Sequence, residues 1–98
     1  MRGTVICWRS ATSFPARYAR AIAWYRDGQT DRALAAVDAF LTEQPENPYF
    51  WELKGQILFE SGRSLESVGP HRKSVELAPK QALLKVNLAR SLIGTKDE

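Results

Sequence analysis

Cys7 is the only thiol and His71 the only imidazole in the 98 residues. A thiolate beside an imidazole could run nucleophilic hydrolysis. Cys7 lies in an N-terminal stretch without helical patterning and His71 in the third quarter of the chain, so nothing local joins them. One cysteine excludes an internal disulfide framework and a cysteine-rich zinc site. One histidine excludes a His-Glu-x-x-His helix and any multi-histidine metal centre. Glu60, Glu66 and Glu76 sit among Lys and Arg at helix-surface spacing, as solvated charges do, and do not form a carboxylate pair with separated pKa values. Gly28, Gly55, Gly62, Gly69 and Gly94 compose no phosphate-cradling loop. The chemistry-bearing residues therefore predict no enzyme, no cofactor and no metal site. The elements that would position them say more.

The chain is 44% hydrophobic, 26% charged and 10% aromatic, an ordinary globular composition for a single small domain. No apolar run is long enough to span a bilayer. Fourteen Lys and Arg against eleven Asp and Glu leave +3. The excess is local: Arg2, Arg9, Arg17, Arg20 and Arg26 lie in residues 1–26, which hold no acid. An acid-free, Arg- and Ser/Thr-rich start has the composition of an organelle-targeting presequence, but Arg17, Arg20 and Arg26 belong to a helix that the fold needs. The segment 1–8 lacks the apolar core and small-residue cleavage site of a secretory signal. It is read as a basic, irregular segment over 1–13, with Thr4–Trp8 the only strand-like run.

Sliding the sequence against itself by 34 residues aligns Ala21 with Gly55, Gly28 with Gly62, Leu34 with Val68, Leu41 with Val75 and Pro45 with Pro79. Self-similarity at this period means stacked supersecondary units that bury their faces against one another. Within each unit the apolar spacing is helical. Helices are predicted over 15–27, 30–44, 48–61, 64–77 and 81–94. Thr30 and Ser64 are expected to cap two of them, Gly28, Gly62 and Gly94 to end three, and Pro45, Pro48 and Pro79 to punctuate the rest. Loops of two to four residues make neighbouring helices antiparallel. In 64–77 the apolar residues are Leu65, Val68, Val75 and Leu77. Pro70 in that segment predicts a kink or a late start. His71 is read as a space-filling residue in a helix interface.

These residues resemble the tetratricopeptide (TPR) pattern of Trp, Leu-Gly, Tyr, Ala, Phe and Pro over 34 residues. Trp51, Gly55, Leu58, Ser67, His71 and Pro79 stand at the corresponding slots of a unit over 48–81, with Lys54 in place of the Leu. Arg17, Ala21, Trp24, Ala33, Val37 and Pro45 stand there in a unit over 14–47. Leu88, Ala89 and Leu92 match in a partial unit over 82–98. The resemblance implies an all-α superhelix of two full repeats and a fifth terminal helix, acting as a protein-protein interaction scaffold. A narrower likeness covers Pro15–Ala23, Asn47–Gln56 and Ser74–Pro79. These runs are similar to the C-terminal TPR region of bacterial periplasmic His-Glu-x-x-His zinc metallopeptidases, where such a module recruits or gates protein substrates. That likeness implies a periplasmic location for a fragment of such a peptidase, and a cytoplasmic one for a free-standing chain.

In TPR stacks the first helix of each pair lines a concave groove. By that register the groove falls on Pro15, Tyr18, Ile22, Tyr25 and Arg26, then on Tyr49, Glu52, Gln56, Phe59 and Glu60, then on Leu83, Val86, Arg90 and Ile93. Tyr18 and Ile22 stand where a carboxylate clamp would need Lys and Asn. The expected partner is therefore a protein or peptide offering a helix or an extended hydrophobic segment, or a second copy of the chain. Glu52 and Glu60 on the same face disfavour RNA, the other ligand that aromatic and Arg residues invite.

Overall fold

The computed structural model describes residues 15–97. The expectations for the 1–13 segment, for a strand at Thr4–Trp8 and for Cys7 lie outside the described residues. Within them the protein is all-α, without a strand. Helix α1 occupies 15–26. It is followed by α2 (Thr30–Glu43), α3 (Pro48–Glu60), α4 (Ser64–Leu77) and α5 (Ala82–Gly94), and a 3-10 turn, Thr95–Asp97, closes the described chain. No described helix is long and apolar enough to cross a membrane.

The turns account for the handoffs. Gly28 and Gly62 both sit at φ +83°, a conformation that L side chains rarely adopt. Around Gly28, its own N–H donates to Tyr25 O (3.1 Å) and the Gln29 N–H to Trp24 O (2.8 Å). Around Gly62 the same pair runs to Phe59 O (3.1 Å) and Leu58 O (2.9 Å). This is the Schellman closure, which satisfies the last carbonyls of a helix while reversing the chain. Because the next helix starts one residue later, Gln29 and Arg63 occupy the N-cap positions, without side-chain cap bonds. Thr30 and Ser64, expected as caps, are instead the first helical residues. Helix α3 begins differently: Pro48 fills the first turn and the Asn47 side chain accepts from Tyr49 N–H at 3.0 Å.

The 34-residue period is written into the loop backbone. Seven hydrogen bonds flank α1 to α3, from Asp27→Ala23 to Phe50→Asn47. Seven more, from Ser61→Ile57 to Leu84→Gln81, join the residues 34 further on. The hinge residues Gln44 (φ −137°, ψ 73°) and Ala78 (φ −139°, ψ 68°) match closely. Antiparallel pairing of α1 with α2 places the Arg17 guanidinium, near the start of one, on the Glu43 carboxylate, at the end of the other.

The core is apolar in its first half. Ala21, Ala33, Val37, Phe40, Leu41, Phe50, Leu53 and Ile57 form one buried cluster. The Phe40 and Phe50 rings meet at 4.9 Å between centroids, and the Arg17 guanidinium lies 4.9 Å from the Phe40 centroid. In the second half the buried face of α4 is Ser64, Ser67, Pro70, His71 and Ser74. Leu65, expected on its apolar side, is 64% exposed. Ser67 and Ser74 can be inward because they are small and bond to their own helix. Ser67 Oγ donates to Ser64 O and Ser74 Oγ to His71 O, each at 2.7 Å. Helix α4 runs unbroken from Ser64 through Pro70, so no late start occurs.

Candidate interaction surface

The first helices of successive units, α1, α3 and α5, meet through residues about one repeat apart. Tyr25 Oη donates to Glu60 Oε1 at 2.8 Å. Asn87 Nδ2 donates to Glu52 Oε1 at 2.7 Å. The Arg90 guanidinium lies 5.2 Å from the Phe59 ring centroid. Gln56 donates to Glu60 along α3, which leaves that carboxylate shared between two helices. Tyr25, Glu60, Gln56, Phe59, Arg90 and Glu52 are thus brought into one continuous strip.

The remaining expected residues divide. Tyr49 (52% exposed), Val86 (52%), Leu83 (68%) and Ile93 (64%) are uncovered apolar positions. Arg26 and Pro15 are exposed, and Ile22 is half-buried against the core. Ile22 and Arg26 share a shallow concavity with Ala19, Ala23 and Asp27. Tyr18 turns inward: its ring stacks near Phe40 (6.4 Å) and Phe50 (6.3 Å), so much of it belongs to the core.

Electrostatics follows from this geometry. Burial, then the hydrogen bond to Glu60 and the charge of that carboxylate, push the Tyr25 hydroxyl up to about 12. Burial first, with the Glu52 charge second, raises Tyr18 as well. At the far end of the stack, the hydrogen bond from Arg17 holds the Glu43 carboxyl below the usual carboxylate range.

His71 sits behind the strip. Its ring is 1% exposed, and neither ring nitrogen has a hydrogen-bond partner. Nδ1 stands 3.3 Å from Glu52 Oε2, without hydrogen-bond geometry. The ring lies flat on Gly55, where an added Cβ would come within 2.8 Å of three of its atoms. Glu52 on α3 thus lies beside His71 of α4 and accepts a hydrogen bond from Asn87 of α5. Periodicity did not show it, because it depends on which residues of different units face one another. Among the described residues no group of three or more His, Cys, Asp or Glu could hold a metal ion. No family model and no curated protein matches the chain.

Proposed function

We propose that the protein is a TPR-type, non-catalytic interaction module, taking a peptide, a client protein or an adjacent domain on the face formed by α1, α3 and α5. The observation that carries this reading is the linkage of that face. Tyr25–Glu60, Glu52–Asn87 and Phe59–Arg90 join three helices into one amphipathic strip, flanked by exposed Tyr49, Val86, Leu83 and Ile93. Aromatic rings offer contact area with few torsions to freeze, and the charges beside them can set register. Helices held by the polar links keep the strip in shape before a partner arrives, which lowers the ordering cost of binding. Glu52 and Glu60 would repel a phosphate backbone along the strip.

The test is selection of peptides from a random library on the full chain, followed by amide chemical-shift mapping of the selected binders. Shifts should cluster on Tyr25, Tyr49, Phe59, Val86 and Arg90. Val86→Glu, at an exposed site, should weaken those binders at least about tenfold without lowering the melting temperature. Binders whose shifts all fall on other faces would refute this assignment.

A further inference from the structure

Helix α5 stands in the register where α3 stands 34 residues earlier, yet it is seated differently. Helix α3 packs on α2 and α5 on α4. The buried apolar side chains of α3 are Phe50, Leu53, Ile57 and Leu58. The residues 34 further on are Leu84, Asn87, Ser91 and Leu92. Leu84 and Ser91 are buried, Asn87 is half-buried and Leu92 is 42% exposed. Four apolar anchors have become one. The helix beneath changes in the same sense: α2 buries Ala33, Val37, Phe40 and Leu41, whereas α4 buries three serines, Pro70 and His71. Apolar burial is the term that makes docking of a helix cooperative with the rest of a fold, and at this seam little of it remains.

Polar contacts do much of the holding. Asn87 donates to Glu52, and Arg90 lies over Phe59. Contacts of this kind contribute modestly, because water satisfies the same groups when they part. Ser91 Oγ is buried with no partner among the described residues, so undocking returns it to water and offsets part of the exposure of Leu84. The helix also has little to sustain it alone. Its 13 residues are near the length at which isolated helices are marginal. Its N-cap, Gln81, makes no side-chain cap bond, and it has no acid in its first turn and no base in its last. Undocking and melting therefore go together. We propose that α5 is a strap that opens as one cooperative unit while α1 to α4 stay folded, the closed form being the dominant one. Opening carries Leu83, Val86, Arg90 and Ile93 away from α3 and divides the α1–α3–α5 face. The strap does not require that this face bind a partner.

The experiment is native-state hydrogen exchange of the full chain, followed amide by amide by NMR in sub-denaturing guanidinium. The amides of 86–93 should share one protection factor, at least about tenfold below that of 53–58 in α3, and one shallow denaturant dependence. Equal protection in the two helices would overturn the proposal. So would protection that falls steadily along α5, which is fraying from an end and not the opening of a unit. Val37→Ala separates strap opening from global unfolding. Val37 is fully buried on α2, so trimming it weakens the closed and the strap-open forms alike against the unfolded chain. Protection of 53–58 should fall by about tenfold, while that of 86–93 should stay within about twofold of its parent value. Parallel acceleration of both helices would overturn the strap, because α5 would then open only with the whole chain.

Discussion

The two halves of the stack share a backbone and differ in what fills it. Every backbone–backbone loop hydrogen bond described for the first half recurs 34 residues on, yet the buried side chains change character. Ala33, Val37 and Phe40 become Ser67, His71 and Ser74, and Ile57 becomes Ser91, all of them at most 1% exposed. In the first half, volume is supplied by large apolar groups packed around Phe40. In the second, α4 lies close on α3, its hydroxyls close on its own helix, and one imidazole fills the space over Gly55. The lesson is that turn geometry and small-residue spacing can hold a register while the core chemistry drifts, provided that volumes exchange in compensation.

The largest contrast should come from one position in each half. Phe40→Ala removes a ring 1% exposed and in contact with Phe50, and should cost about 3–5 kcal/mol. In a chain of this size that lowers the melting temperature by well over 10 °C, on a scale of about 4–8 °C per kcal/mol. Ser74→Ala, at the equivalent place, should cost under about 1 kcal/mol, because only a bond to its own helix is lost. Thermal melts of the two variants make the comparison, and equal losses would break it.

Gly55→Ala should follow at about 1–3 kcal/mol, since the new Cβ would meet the buried His71 ring at 2.8 Å. Denaturant titration reads the loss, and a variant as stable as the parent would show that α4 yields freely. Ser91→Ala should go the other way. Ser91 Oγ is buried without a partner, so deleting the hydroxyl should leave stability unchanged or raise it by up to about 1 kcal/mol. A clear loss by denaturant titration would mean that the hydroxyl is satisfied.

Much of this was legible from residue order. The helix boundaries agree with expectation to within one residue, because Gly28, Gly62 and Pro48 punctuate by backbone chemistry that tertiary context does not override. The buried face of α4 was not legible. Apolar periodicity cannot flag an inward serine, and it drew attention to Leu65, which faces out. The caps were displaced by one residue because the Schellman closure hands its last residue to the next helix. Of the expected strip, the register gave Tyr25, Phe59 and Glu60, but Tyr18 turns inward to aromatic partners from two other helices. Likewise, whether Trp24, Leu58 and Leu92 are covered depends on a neighbouring unit. Leu58 is 4% exposed in the middle of the stack, while Leu92 at the end is 42% exposed.

The smallest expected effect lies on the proposed partner face. The Tyr25 hydroxyl should titrate near 12, above its ordinary value near 10. The raised value means that this contribution to stability is fully present below about pH 10 and is lost as pH rises towards 12. Carbon-13 shifts of the tyrosine ring, followed against pH in the folded chain, read it directly. Glu60→Gln should bring the midpoint down by removing the carboxylate, and an unchanged midpoint would detach Tyr25 from α3.

The measurement that bears most directly on two halves sharing one register is a double-mutant cycle at Gly55 and His71. The first half holds Ala21 and Val37 at the corresponding places, both fully buried. Gly55→Ala alone should destabilise by overpacking, and His71→Val alone by leaving space over the glycine. Combined, they install the first half's own pair, and the chain should recover, with a favourable coupling of about 1–3 kcal/mol by denaturant titration. Additive losses in the double variant would contradict the account, because the two halves would then not be interchangeable solutions to the same packing geometry.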